Sequence, residues 1–474
     1  MKVLSKISAI LCLCLAVFAS CESPDYETGR TPQVDGLMGV TIQIPGNPSK
    51  YSATKAGPYA ENEEIIVKVP TTEDDPLDVT RLVCYVNVQH NCYVTPAIGG
   101  EMDFTEPYQI TVVDALGNKH HNTIRVVPTP PKVKVAKLWG KSGEEMQTGT
   151  NATGLALWKD YLAVQVYNDN IKLYDRATGA YVKDLEAASS FMMHARTDDG
   201  GHLLTARENI YGAGFMVYRY DEATNEHVNI LNYAADDGCP LDLGYNFSVK
   251  GDVTKGVAYI YGTCPDNMEV YYWKLQDGQL VTPAAHPIAL RYGPAGSPWT
   301  KAPMIERASL DDDSNHYIAY NHRSGNPDDH PERKSHFAMF TPFYEVTNMN
   351  QDNHWYRILG FDVFSVEGDT YLALLDHYCD PWSGGDAFMR LFDITNPKNM
   401  ELGPDDSGYD KFALFKSEGS PYATNYNDWG DVATCTVPTS TGYDIYISVC
   451  NIGFAASETC IRTYKMLSLI HISE

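Results

Sequence analysis

Leu173-Tyr174-Asp175-Arg176-Ala177-Thr178-Gly179-Ala180-Tyr181-Val182 returns, shifted by 46 residues, as Tyr218-Arg219-Tyr220-Asp221-Glu222-Ala223-Thr224-Asn225-Glu226-His227-Val228. Each copy reads as a strand, a hairpin turn and a second strand. Weaker echoes follow at Tyr272–Leu280 and Leu391–Pro397. A spacing of about 40 to 50 residues is the period of a four-stranded propeller blade, and helical patterns are nearly absent. The fold class is therefore all-β, with six blades opening near Thr153, Phe191, Leu243, Pro303, Gly360 and Gly430. The sixth has candidate strands at Asp431–Val437, Tyr443–Val449 and Cys460–Met466 but no fourth. Lys132–Trp139 is a strand without a blade, so the spacing predicts that it pairs into blade six and closes the ring without an exposed edge. The alternative is a further strand or blade beyond the residues given.

Upstream of the propeller, residues 36–127 alternate short β-rich runs with turn residues: Gly39–Ile44, Glu64–Val69, Arg81–Val88, Tyr108–Val113 and Asn122–Val127. That is the pattern of a small sandwich. Pro128-Thr129-Pro130-Pro131 stiffens the junction, giving a linker at 128–131 and a propeller over 132–466. The stretch Val94–Ala97, Gly99-Gly100, Asp103-Phe104, Tyr108–Val113 and Asp114–Asn118 resembles an immunoglobulin or PKD-like domain. Such domains are common at the front of surface lipoproteins of unknown function in glycan-degrading Bacteroidota.

The N-terminus points the same way. Lys2 and Lys6 precede an apolar run, Ile7–Phe18, that stops at Ala19, Ser20 and Cys21. An apolar core this short describes a secretory signal over 1–20, because a bilayer span needs about 20 residues. Small residues followed by cysteine resemble the lipobox of bacterial lipoproteins, although Phe18 stands where that family usually has Leu. The resemblance implies lipidation of Cys21, a polar tether over 21–35, and an outer-membrane location facing the cell exterior. At the other end, Leu467-Ser468-Leu469-Ile470-His471-Ile472-Ser473-Glu474 resembles one reading frame of a transposase sequencing adapter. Residues 467–474 are accordingly expected to lie outside the natural fold.

The formal charge is −25, and loss of Lys2 and Lys6 with the signal makes it −27. Such a field disfavours nucleic acid and anionic surfaces, and favours neutral or cationic partners. Tyr, at 32 residues against 15 Phe, suits strand surfaces and wet interfaces. Eight cysteines remain after the signal and Cys21: Cys84, Cys92, Cys239, Cys264, Cys379, Cys435, Cys450 and Cys460. None has the spacing of a zinc or redox site; Cys84 with Cys92 and Cys239 with Cys264 are candidate bridges, and buried free thiols are the alternative.

No nucleophile elbow, phosphate loop, zinc-protease helix or EF-hand loop is present, which turns the reading away from an enzyme. No cofactor is called for; Asp311-Asp312-Asp313 could hold calcium, but the position is that of a hairpin turn. The long loops of blades four to six gather polar and aromatic residues: His322 and Arg323; Asp376, His377, Tyr378, Asp380 and Trp382; Asp428, Trp429 and Asp431. Aromatic faces cover the apolar side of a pyranose while carboxylates receive its hydroxyls, so these ten residues are the candidate ligand-binding set. Three functions compete: a noncatalytic surface lipoprotein that binds an extracellular ligand such as a glycan, a propeller hydrolase or lyase using a pair such as Asp376 and Asp431, and a scaffold for envelope proteins. The first fits a site-like surface without a catalytic motif.

Overall fold

A computed structural model describes residues 36–46, 50–71, 76–114, 116–129, 133–221, 223–264, 269–284, 288–291, 304–320, 336–341, 345–349, 357–380, 384–404, 406, 408–422, 429–440 and 442–468. The signal segment, Cys21 and the tether lie outside these residues, as do His322, Arg323, Trp382 and Asp428. The chain divides into two compact units, one within residues 1–129 and the other centred on 130–474.

The first unit holds two four-stranded sheets. One runs in the order Lys50–Ser52, Leu37–Gln43, Leu82–Val88, Glu101–Met102, and the other Glu64–Pro70, Lys119–Thr129, Tyr108–Val113, Tyr93–Thr95. Strict alternation explains why they face each other: Ile65, Val67 and Val69 are buried while Glu64 and Lys68 point to solvent. They share a core with Ile42, Tyr59, Cys84, Phe104, Ile110 and Ile124. The turn at 114–118 is closed by Asp114 Oδ1, which accepts from the backbone N–H groups of Leu116 and Asn118, both at 2.8 Å.

The second unit is built from six antiparallel sheets. Blade one runs Ala152–Trp158, Tyr161–Val166, Ile171–Asp175, Tyr181–Leu185; blade two runs Met192–Thr197, Leu203–Arg207, Phe215–Tyr220, His227–Tyr233. Blade three runs Asn246–Asp252, Lys255–Thr263, Glu269–Gln276, Gln279–Leu280, with Ile288–Arg291 also on its third strand. Blade four runs Met304–Arg307, His316–Tyr320, His336–Phe340, Val346–Met349. Blade five runs Arg357–Val366, Asp369–Asp380, Gly384–Asp393, Ala413–Lys416, with Ser420–Tyr422 also on its third strand. Blade six runs Gly430–Thr439, Gly442–Asn451, Cys460–Ser468, and takes Val133–Ser142 as its outer strand. Each innermost strand touches the next, and Gly430–Thr439 returns to Ala152–Trp158. This is a closed six-bladed propeller, with its ring sealed by the strand that sequence spacing left without a blade. The last strand continues through Leu467 and Ser468, opposite Lys134 and Val133. It therefore passes two residues beyond the expected end at Met466, because backbone groups make the ladder whatever side chains they carry.

The repeat has a physical basis in the hairpin between third and fourth strands. Asp175 Oδ1 accepts from Thr178 N at 2.8 Å and Thr178 Oγ1 at 2.7 Å, and Asp221 Oδ1 accepts from Ala223 N and Thr224 N. The next residue, Gly179 or Asn225, takes a left-handed conformation at φ 67° or 57°. The tyrosine before each Asp ties its blade to the segment leading into it: Tyr174 Oη donates to Met146 O, and Tyr220 Oη donates to Glu186 O at 3.0 Å. An apolar cluster fills each of the six seams between blades. Every buried Leu, Ile or Phe there stabilises the ring by about 1.5–3 kcal/mol. Near the axis the backbones come close enough to require glycine, since a Cβ at Gly154 would lie 2.7 Å from Ala195 N and one at Gly360 2.8 Å from the Asp431 backbone. Cys84, Cys92, Cys239, Cys264, Cys435, Cys450 and Cys460 are all free thiols, so neither candidate bridge is formed.

Candidate functional site

Two places on the propeller gather polar or aromatic groups: the axis, and the face where the innermost strands begin.

On the axis, Asp431 starts blade six and is 1% exposed. Its Oδ2 accepts from Leu155 N of blade one at 2.8 Å, its Oδ1 from Val432 N at 2.9 Å, and both oxygens receive the Arg196 guanidinium of blade two, Nη2 to Oδ1 at 2.9 Å. His194 Nδ1 stands 3.7 Å from the same carboxylate. Burial alone would raise the Asp431 pKa, but Arg196 and His194 outweigh it and hold the carboxyl below its ordinary value. Below this clasp a cavity of ≈ 540 Å³ runs along the axis. Asp362 enters it with Oδ2 held by Thr434 N at 2.6 Å and Thr434 Oγ1 at 2.9 Å, and Glu306 enters it with Oε2 held by Val363 N at 3.0 Å. Desolvation is the main reason both are pushed upward, Asp362 to about 6 and Glu306 well above its ordinary value, the latter reinforced by Asp362.

The sequence-read set therefore divides. Asp431 binds three blades together and its lone pairs are taken. Asp376, 1% exposed, is paired with Arg390 Nε at 3.0 Å, and His377 is fully buried. These three are axis and seam residues rather than surface ligand contacts, because the charged residues beside a loop had strand positions facing inward. Tyr378 and Asp380 end the strand Asp369–Asp380. Trp429 is partly buried and packs against the apolar cluster between blades six and one. Asp311–Asp313 forms the expected turn, fixed by Arg307, which donates to Asp311 O, and by Ser314 N to Asp311 O at 2.9 Å. Among the described residues, the acidic and histidine side chains close enough to share an ion are Asp198, His202 and Asp252. There Asp198 already accepts from His202 N at 2.7 Å, Val253 N at 2.9 Å and His202 Nδ1 at 3.1 Å, which locks two hairpins together.

The starting face joins Trp429 to three aromatics that the sequence did not single out. In an antiparallel blade the first strand begins, and the second ends, on the same side. Trp429 directly precedes blade six, Tyr167 follows the second strand of blade one, Phe191 leads into blade two, and Tyr211 follows the second strand of blade two. They form a continuous run: Trp429 to Tyr167 at 5.4 Å between ring centroids, Tyr167 to Phe191 at 6.2 Å, and Phe191 to Tyr211 at 6.0 Å. Tyr211 is 90% exposed. Phe191 and Tyr211 both take left-handed backbone, at φ 59° and 55°, which bulky side chains rarely adopt. Strain of this kind persists where the surroundings impose it, and it concentrates at binding sites. The loop of Tyr211 is braced by Asn209, fully buried, whose Nδ2 donates to Cys239 O at 3.0 Å and Pro240 O at 2.7 Å while its Oδ1 accepts from Gly214 N at 2.6 Å; Phe191 is held separately, its N–H donating to Asn168 Oδ1 at 3.3 Å. Glu208, next in the chain, is 4% exposed and anchors the loop through its N–H to Phe191 O at 3.0 Å. Burial first, and Asp242 second, push its carboxyl to about 8. No spacing marks Tyr167, Phe191, Tyr211 or Glu208 in the sequence; isolated aromatics on short loops become a surface only when three blades meet.

An all-β protein with a six-bladed propeller and an aromatic face is thus defined by its geometry. The chain belongs to the family described as Domain of unknown function (DUF8500), whose model matches residues 146–461, the span from the entry to blade one to the last strand of blade six. Among solved structures it is similar to a DUF4623 family protein from Bacteroides eggerthii, at 10% identity and TM-score 0.51, over 91% of this chain and 98% of that one. At that identity the likeness concerns the fold. No curated protein matches the chain.

Proposed function

We propose that this chain is a noncatalytic cell-surface lipoprotein that binds a glycan on the starting face of its propeller. The observation that carries the reading is the run Trp429–Tyr167–Phe191–Tyr211, four rings in contact with the outermost almost wholly exposed. The rings are tilted or edge-on to one another, and they offer an apolar surface with polar tips on Tyr167, Tyr211 and Trp429, which matches the alternating apolar and hydroxylated faces of a sugar. At 90% exposure Tyr211 buries little beyond its edge contact with Phe191, so packing alone does not account for an aromatic on this strained loop. The saturation of Asp431 and the Arg390 pairing of Asp376 argue against that pair as acid and base. Lipidation at Cys21, and with it an outer-membrane location facing outward, rests on the sequence; metabolic labelling with a fatty acid should mark the wild type and leave Cys21→Ser unmarked.

The binding test is affinity electrophoresis of the secreted form through gels containing neutral and acidic polysaccharides. Wild type should be retarded by at least one of them, and Tyr211→Ala should weaken that retention about tenfold, the equivalent of losing about 1.4 kcal/mol of ring contact. Free mobility of wild type across the panel would defeat the reading.

A further inference from the structure

We propose that the axial cavity is a second binding site, separate from the aromatic face, that takes a small polyhydroxylated primary amine such as a free amino sugar, with the ammonium between Glu306 and Asp362. All six blades line this space, through Leu155, Arg196, Ser248, Glu306, Asp362 and Thr434 in turn. At ≈ 540 Å³ it has the size of a small-molecule pocket, which runs from about 300 to 1,000 Å³. The Arg196 clasp on Asp431 stands over one end. At the other, Asp199 and Lys250, with side chains 50% and 33% exposed, mark a mouth on the side opposite the starting face.

Backbone bonds from neighbouring blades fix the two carboxyls. Glu306 of blade four accepts through Oε2 from Val363 N of blade five at 3.0 Å, and the residue before Val363 is Asp362, which accepts through Oδ2 from Thr434 N of blade six at 2.6 Å. The two acids are therefore neighbours across one seam, each with one oxygen tied to the wall. Among the described residues no donor reaches Glu306 Oε1 or Asp362 Oδ1, and neither oxygen is sealed from solvent, so both open into the cavity that their residues line. The cations of the wall are engaged elsewhere. Arg196 gives both terminal nitrogens to Asp431, and Lys250 Nζ lies 3.4 Å from Asp199. Arg307 donates to Ser309 O at 2.8 Å and Tyr261 Oη at 3.1 Å, and its guanidinium lies 4.0 Å from the centroid of the Tyr259 ring.

That leaves two spare carboxyl oxygens in a pocket shut off from bulk water. An ammonium brings one charge and three donors, which matches them; a bare calcium ion would need six or more oxygens. Burial first, and the like charge of Asp362 second, hold the Glu306 carboxyl up, and a cation between the two offsets both effects. The hydroxyls of Ser365 and Thr370, 3.1 Å apart on the same wall, together with Thr436, suit the hydroxyl groups of the ligand.

The experiment titrates the secreted protein near neutral pH with glucosamine, its disaccharide, N-acetylglucosamine, glucose and calcium chloride, by calorimetry. Glucosamine or its disaccharide is expected to bind one to one, and N-acetylglucosamine and glucose at least about tenfold more weakly, because they carry no charge. Glu306→Gln and Asp362→Asn each keep an oxygen for the backbone N–H they accept, and each should weaken amine binding about tenfold, with a thermal melt confirming the fold. Tyr211→Ala, on the other face, should leave amine binding unchanged. Absence of amine binding, equal affinity for the N-acetylated sugar, calcium binding alone, or folded variants that bind as wild type does would each overturn the inference. If a variant fails to fold, the contrast between amine and N-acetylated sugar in wild type decides the matter.

Discussion

Position 431 shows how one carboxylate organises the axis: a residue at the start of blade six accepts from blade one and clamps an arginine of blade two 235 positions away. Asp431→Ala would leave the Arg196 guanidinium without its carboxylate, holding only the carbonyls of Ala195 and Leu155, and is expected to cost about 3–5 kcal/mol in urea unfolding. A cost below about 1 kcal/mol would show that the clasp is dispensable. Titration adds a second prediction. Asp362 and Glu208 have folded pKa values raised to about 6 and about 8 from 3.8 and 4.5. A raised carboxyl favours the fold while protonated, so its contribution is complete below the unfolded value and is lost as pH climbs to the folded one. Thermal stability should therefore fall as pH rises from about 4 to 8, and Glu208→Gln should make that fall shallower above about pH 6. A melting temperature that rises across this window would contradict both assignments. From the sequence, Asp431 was recognisable as unusual by its place beside Trp429, yet its partner was not, because nothing local distinguishes Arg196 from any other strand arginine. Glu208 gave no signal at all, since its burial is created by loops from two blades.

At the scale of elements, the hairpins were the most legible feature because their chemistry is local. Asp175 and Thr178 satisfy the turn's own N–H groups, and Gly179 supplies the left-handed residue, all within five positions. Gly179→Ala should therefore destabilise the protein by more than about 1 kcal/mol, since the backbone is at φ 67° and the new Cβ would meet the Trp139 ring at 2.8 Å. The equivalent change at position 225, Asn225→Gly, relieves a strained side-chain residue and should be neutral or slightly stabilising; the pair is read by denaturant midpoints. Inner strands were placed within a few residues by the same periodicity. The loops that carry the aromatic run were not, because a positive φ at Tyr211 or Phe191 is set by distant partners, Asn209 with its carbonyls for the one and Asn168 for the other, rather than by the residue's own preference.

For the whole molecule, closure is the organising fact. Val133–Ser142 pairs along Cys460–Ser468, and Trp139 Nε1 donates to Arg176 O at 2.9 Å, so the strand that enters the propeller holds blade six and touches blade one. Removing residues 133–142 should expose the edge of Cys460–Ser468, lower the melting temperature and promote association on gel filtration; an unchanged monomer would mean that the ring does not depend on this strand. The same closure fixes the relative positions of blades six, one and two, and so assembles Trp429, Tyr167, Phe191 and Tyr211 into one surface. The measurement that tests the proposed binding face most directly is hydrogen exchange of the intact protein with and without an oligosaccharide of the polysaccharide that retards it in the gel. Protection is predicted at residues 167–170, 188–192 and 208–214, on the starting face. Protection confined to the opposite hairpins, at 159–160, 199–201 and 253–256, would contradict the account.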